Sequence, residues 1–452
     1  MFCQLEALRH CFPSSVRRIL EELPESLDET YERILKEIQE PKQGHAYRLL
    51  QCLVAAVRPL RVEEIAEVLA FNFNAEGTPS LNPGWRWEDQ EAAVLSACSS
   101  LIVIANTEDS DSRIIQLSHF SVKQFLTADR LAEPIRDISL YHIRLEVAHT
   151  ILAQACLGVL LRLDDRVNLN NIENFPLARY AAQYWDTHAR FGNASPYIKN
   201  GIECLFDAEK PHFATWLWIY NEDGEDSMST MCPEKPEAVP LYYAAKLGFR
   251  ELAERLISEH PEHVNARGSW EQTPMHVAAR AGHDEILSLL LEHGAGVDGR
   301  SIFGETPLHQ ASQNGEIEAG RCLLDHGADI NARNNDNWTP LFLAVFFGHI
   351  EFAQMLLERE ARVNAHDDSL GRTPLYWAVV KKNTQAVGLL LEHGADVNAP
   401  DNLGKTPSQM GSSLGVREIV NLLSRYGSES IELLSGSLES SDSEYGTDSV
   451  ED

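Results

Sequence analysis

Two residue patterns in the stretch "LGKTPSQMGSSLG" (Leu403–Gly415) could carry chemistry. Gly404-Lys405-Thr406 matches the end of a phosphate-binding loop, where backbone amides cradle phosphates, a lysine neutralises them and a hydroxyl binds magnesium. Gly411-Ser412-Ser413-Leu414-Gly415 fits G-x-S-x-G, the elbow that presents a nucleophilic serine. Each pattern needs a partner structure. A phosphate loop needs a glycine five residues before Gly404, where Ala399 stands, and a buried strand ahead of it, which "DVNAPDN" cannot supply. An elbow needs a strand leading into its serine. The cysteines, 8 in all, are scattered singly with no C-x-x-C pair. That spacing argues against a zinc site or a disulfide framework and fits reduced thiols of the cytoplasm. No enzyme activity and no cofactor are expected from these residues.

The elements around the two patterns explain them otherwise. "TPMH" begins at Thr273, "TPLH" at Thr306, "TPLF" at Thr339, "TPLY" at Thr373 and "TPSQ" at Thr406, at spacings of 33, 33, 34 and 33. A degraded copy, "VPLY", starts at Val239. "LLLEHGAGVD", "LLDHGADINA", "LLEREARVNA" and "LLLEHGADVNA" recur in the same phase. Proline after threonine opens a helix at no cost in hydrogen bonds. The glycine of "HGA" suits the left-handed turn that closes a second helix. One such pair of helices cannot bury its apolar face alone, so the copies must stack. The pattern resembles the ankyrin repeat from Glu237 to about Tyr426. Gly404-Lys405-Thr406 is then the turn before a Thr-Pro helix, and Ser413 lies at a helix end.

The whole chain has 452 residues and a formal net charge of −30. That acidity repels phosphate backbones and anionic membranes, so neither nucleic acid nor a membrane is an expected partner. The most apolar run, Val147–Leu161, is too short to span a bilayer and predicts a buried helix.

In the N-terminal half, Ser26 and Glu29 form a capping box before a helix lined by Leu27, Tyr31, Ile34, Leu35 and Ile38, which Pro41 ends. A second helix runs from about His45 to Arg58, and a third is "VEEIAEVLA". "LIVIA" (Leu101–Ala105) and "RIIQL" (Arg113–Leu117) predict a β-hairpin after a loop and a short helix. A helix from about Phe120 to Arg130 follows. The layout is that of a winged helix. Glu63, Glu64 and Glu67 against Arg61 alone make its third helix negative, which excludes a DNA major groove.

"LPESLDETYERIL", "RPLRVEEIAEVLA" and "IQLSHFSVKQFL" resemble the region after the NACHT NTPase domain of fungal NOD-like, STAND-class proteins. Related winged-helix segments occur in proteins grouped with inositol deacylases. The resemblance implies a NACHT–ankyrin protein beginning just after its ATPase. "MFCQLEALRHC" is similar to the last stretch of that NTPase region, and "YAAQYWDTH" to the family's linker. In animal NOD-like receptors a histidine in a similar winged-helix context touches the β-phosphate of bound ADP. By that resemblance His119 would bind a nucleotide, and only together with a NACHT partner; alone it would hydrogen-bond within the wing.

The expected fold is mostly α. Residues 1–22 are the remnant following an NTPase domain, 23–131 a winged-helix domain with a small β-hairpin, and 132–220 a helical linker. An acidic hinge spans 221–236, the ankyrin solenoid 237–426, with about six copies, and an acidic Ser-rich disordered tail 427–452. Ser441 and Ser449 each precede an acid by three residues and could accept phosphate, beside a plain solubilising role for the tail. Function follows as a non-catalytic scaffold with a protein partner on the concave ankyrin face. Trp270, Ile302, Phe303, Trp338, Phe346, Phe347 and Leu370 occupy hairpin tips and first-helix ends there, where apolar side chains mark binding hot spots. The rival reading is a regulator acting in trans on a separate NACHT chain through His119.

Overall fold

The computed structural model describes residues 26–73, 80–81, 100–106, 113–132, 138–164, 166–168, 171–191, 196–221 and 238–427. The expected N-terminal remnant, the short helix before the hairpin, residues 222–236 of the expected hinge and 428–452 of the expected tail lie outside them. The chain divides into two compact units, Met1–Pro236 and Glu237–Asp452. The described part is mostly helical.

The described part of the first unit begins with α1 (Leu27–Lys36), capped by Ser26, whose Oγ accepts the Glu29 amide at 3.2 Å. Helix α2 (Glu40–Ala55) follows. Here one sequence expectation is corrected. Pro41 does not end the first helix; it lies in the first turn of the second, where its missing N–H costs nothing. Strand β1 (Leu60–Arg61) leads into α3 (Val62–Leu69). A two-residue pair follows, β2 (Phe71–Asn72) with β3 (Ser80–Leu81). The wing is β4 (Ile102–Asn106) antiparallel to β5 (Arg113–Leu117), with Ile104 opposite Ile115. β1 pairs with the other edge of β5, giving the order β1-β5-β4. α4 (Phe120–Leu126) and a 3₁₀ turn, Asp129–Ala132, close the unit's first part.

The linker helices α5 (Leu145–Leu160), α6 (Ala178–Phe191), α7 (Pro196–Leu205) and α8 (Pro211–Asn221) pack around Trp185, Phe206 and Trp216, all buried. Among the described residues no helix is long and apolar enough to cross a membrane; the apolar run is the buried helix α5.

Buried polar groups lock the linker to the winged helix. Tyr180 Oη accepts the Val57 amide at 3.2 Å and donates to His188 Nε2 at 2.8 Å. His188 Nδ1 lies 2.8 Å from His149 Nδ1. Burial pushes the His188 imidazole down to about 3, so it stays neutral in this relay.

The third helix corrects the electrostatic argument too. Glu64 and Glu67 are 1% and 2% exposed and do not form a negative face. Glu64 takes a bidentate pair from Arg58 at 2.6 and 2.9 Å and also accepts the Arg61 amide at 2.7 Å. Glu67 accepts the Leu177 amide of the linker at 2.8 Å. Both carboxylates are spent on internal hydrogen bonds, as buried charges must be. Of the three acids in α3 only Glu63 stays partly exposed, so the negative face argued against a DNA groove does not form.

The second unit stacks six helix pairs among the described residues. The first helices are α9 (Pro240–Leu247), α11 (Pro274–Arg280), α13 (Pro307–Asn314), α15 (Pro340–Phe347), α17 (Pro374–Val380) and α19 (Pro407–Leu414). Their partners are α10 (Arg250–Glu259), α12 (Asp284–Glu292), α14 (Ile317–Asp325), α16 (Ile350–Glu358), α18 (Thr384–Glu392) and a helix over 417–427. Every first helix has proline at its start. The two chemistry-like patterns fall inside this frame. Asp401 Oδ1 closes the turn at Gly404-Lys405 by accepting the Leu403 and Lys405 amides at 2.9 and 2.8 Å. Ser413 sits in the last turn of α19 and donates to the Met410 carbonyl at 2.8 Å.

The turn after α12, α14 and α18 is left-handed, with φ of 83° at Gly294, 86° at Gly327 and 82° at Gly394. In "EREA" the same place is held by Glu360, and its φ is 64°. A Cβ built at the three glycines meets nothing within 4 Å, so the burden on Glu360 is the backbone conformation itself. Its carboxylate also lies at a helix C-terminus, where negative charge is disfavoured. Against these stands the greater freedom of glycine in the unfolded chain. The sum predicts that Glu360→Gly stabilises the array by about 1 kcal/mol. Paired urea melts check it; an unchanged or lower midpoint would contradict it.

Candidate protein interface

The hairpin tips are tied to one another through the backbone. Trp270 carbonyl oxygen accepts the Ile302 amide at 2.9 Å, Phe303 that of Asn335 at 3.0 Å, and Leu370 that of Asn402 at 2.8 Å. Behind the tips, Arg267 Nη1 donates to the Arg300 carbonyl at 3.0 Å, and Arg300 Nη1 to that of Arg333 at 2.7 Å. Two histidines brace the tips from the inner helices. His276 Nδ1 accepts the Thr273 amide at 3.1 Å, which leaves Nε2–H to donate to the Glu305 carbonyl at 3.0 Å. His309 repeats the arrangement with the Thr306 amide and the Trp338 carbonyl, at 3.1 and 3.0 Å. The tips therefore form a rigid edge.

Apolar side chains stand on that edge in the solvent. Trp270, Ile302 and Phe303 are 58%, 55% and 50% exposed, and the Trp270 and Phe303 ring centroids are 6.4 Å apart. Trp270 is also held in an uncommon backbone state. Gly304, Asn337, Gly371 and Gly404 supply the one left-handed residue of their tips, with φ of 70°, 63°, 66° and 75°. In the first full copy two successive non-glycine residues are left-handed, Trp270 at 56° and Glu271 at 55°. For bulky residues this costs on the order of 1–3 kcal/mol each, and such strain concentrates at functional positions.

The remaining expected contacts divide. Phe347 is exposed, while Trp338, Phe346 and Leu370 are half-buried. Trp338 stacks on Phe342 with centroids 4.6 Å apart and tilts against Phe346 at 5.2 Å. Phe346 meets Trp377 edge-on at 5.2 Å and lies under Lys381 Nζ at 4.1 Å. Trp338 and Phe346 thus fold onto their neighbours and help pack α15 against α17. The sequence reading omitted Leu403, the same tip position in the next copy, which is 82% exposed. Its alignment with Trp270, Phe303 and Leu370 was the signal available for it.

His119 is exposed and caps α4. Its Nδ1 accepts the Ser121 amide at 3.2 Å and lies 2.6 Å from Ser121 Oγ, which in turn contacts Tyr31 Oη at 2.8 Å. Those partners assign the free proton to Nε2. Phe120 beside it is 68% exposed. The sequence reading singled out the histidine and not this phenylalanine.

Comparison with known proteins agrees with both architectures. Residues 215–301, 241–334, 296–367 and 363–432 match the model of ankyrin repeats (3 copies). Residues 31–135 match the winged helix domain of GPI inositol-deacylase. The chain carries ankyrin repeats and a winged helix domain. It is 31% identical over 293 residues to azaphilone pigments biosynthesis cluster protein L of Monascus ruber, covering 60% of this chain. The match likewise spans 60% of that curated relative's length. Among solved structures it is similar to the ankyrin repeat domain of Bcl-3, a member of the IkappaB protein family. That match has 32% identity and a TM-score of 0.41 over 43% of this chain and 88% of that one.

Proposed function

We propose that this chain is a non-catalytic protein-interaction module, in which the ankyrin array captures a protein partner on its tip edge and the winged helix is the regulatory part of a STAND-like signalling protein of the cytoplasm. The observation that carries the reading is the exposed row Trp270–Ile302–Phe303 on a braced edge, with Trp270 itself in a left-handed backbone state. Aromatic anchors held rigid in solvent lose little entropy when a partner covers them. Phe347, Leu370 and Leu403 extend the row, and Trp338 and Phe346 support it from within.

One observation favours a second role for the winged helix. Phe120 and His119 stand exposed together, with ring centroids 4.3 Å apart, and His119 keeps an Nε2–H free for an acceptor. That corner suits a NACHT domain in the same protein or in trans, with His119 donating to a nucleotide phosphate. A histidine alone is no nucleotide site, because the groups that would bind the remaining phosphates and base must come from that domain. Calorimetry of the chain with ADP and ATP is therefore expected to show no binding. Single-site micromolar binding would overturn the scaffold reading in favour of the nucleotide one.

A further inference from the structure

The loop after α10 departs from every other copy. Three of the other second helices end in a histidine that turns back on its own helix: His293, His326 and His393 place Nδ1 at 2.9, 2.8 and 2.9 Å from the carbonyl four residues earlier. In the copies where glycine follows, it gives the left-handed turn. After α10 the sequence is His260-Pro261-Glu262-His263. Proline locks φ near −65° and cannot make that turn. The chain instead takes a 3₁₀ segment, Pro261–Asn265, with His260 at φ −137°. His260 is thereby released from its helix end. Its Nδ1 faces Glu262 Oε1 at 3.2 Å, and His263 Nε2 approaches the same oxygen at 3.9 Å. The two imidazoles stack at 4.8 Å. Where His263 stands, other copies carry Gly296, Asp329, Arg362 or Asp396, so the second imidazole is particular to this turn.

We propose that His260, Glu262 and His263 form a surface binding site for a borderline divalent transition ion of the zinc class. Their ligand atoms all lie within 4.8 Å of one another. A tetrahedral zinc with nitrogen and oxygen ligands at about 2.0–2.1 Å needs ligand–ligand edges of about 3.3 Å. Contraction of the wider edges asks only for side-chain rotation, since His260 and His263 are partly exposed and Glu262 is fully so. Two imidazoles and one carboxylate suit zinc, nickel or copper rather than calcium or magnesium, which take oxygen ligands. Water completes the sphere from the open side. The ion would clamp the turn that in three other copies rests on a helix-capping histidine and a left-handed glycine.

Zinc titration of the full chain by calorimetry, with thiols blocked, tests this. Wild type is expected to bind one equivalent that millimolar magnesium or calcium does not displace. His260→Ala with His263→Ala should lose that equivalent. Glu262→Gln, which keeps the size of the side chain, should weaken it at least ~10-fold. All variants should show the wild-type circular dichroism in a chelator, because none of the three side chains packs in the core. The proposal is overturned if Glu262→Gln and the double variant bind zinc with wild-type affinity and stoichiometry, or if calcium or magnesium displaces the ion.

Discussion

The ankyrin array should lose stability steeply between pH 6.5 and 4, and glutamine at positions 276 and 309 should remove most of that loss. Both imidazoles are fully buried, and burial pushes each down to about 4. Each works only when neutral, accepting a threonine amide at Nδ1 and donating from Nε2 to the next copy. In the unfolded chain each protonates near pH 6.5. The unfolded state therefore binds more protons below that pH, and stability falls as pH falls. The contribution is fully present above pH 6.5 and is gone near 4. A difference of about 2.5 units corresponds to on the order of 3 kcal/mol for each histidine. Glutamine is the array's own alternative. In α19, Gln409 Oε1 accepts the Thr406 amide at 3.1 Å, so His276→Gln with His309→Gln keeps both caps and deletes both titrations. The variant forfeits the two Nε2 links, about 1 kcal/mol each at neutral pH. Urea melts across the window should show the wild type losing several kcal/mol more than the variant. Parallel curves would contradict the assignment.

Legibility in the sequence followed the physics of each residue. The helix pairs were readable because Thr-Pro and His-Gly-Ala mark backbone states that depend on few neighbours. Glu360 illustrates this: the phase of the repeat placed it in a left-handed turn, and its φ is 64°. Lys382, at φ 57°, holds the left-handed place of Gly282, Gly315 and Gly348, and comparing those three copies with "VKKN" would have shown it. What escaped depends on tertiary partners. Glu64 and Glu67 read as a charged face because Arg58 and the Leu177 amide, which satisfy them, are brought in by other segments. Trp338 and Phe346 read as exposed with the other tip and helix-end residues. Their fate is set by Phe342 in the same helix and Trp377 in the next copy. Pro41 was assigned to the wrong end of its boundary, since proline after one helix and proline opening the next look alike when only a few residues separate the two. The histidines of "HPEH" lie in a loop whose departure from the glycine turn, rather than its composition, brings their ligand atoms together.

Replacement of Trp270 and Phe303 by alanine is expected to cost at least ~2 kcal/mol in binding to the array's protein partner, about a 30-fold loss of affinity. These two are cleaner probes than Trp338 and Phe346. Their side chains stand 58% and 50% exposed, so truncation leaves no cavity and no unpaired polar group. Truncating Trp338 would instead unstack Phe342 and Phe346 and confound binding with folding. Alanine at 270 keeps a left-handed residue there, so the tip geometry is carried over while the indole is removed. The loss should appear mainly as faster dissociation, as it does for anchors at the centre of an interface. The direct measurement uses the partner that the immobilised full chain retains at saturation, titrated against wild type and the Trp270→Ala/Phe303→Ala variant. The interface reading predicts a dissociation constant raised at least ~30-fold with an unchanged urea midpoint. Equal affinity for the two proteins, with both folded, would contradict it.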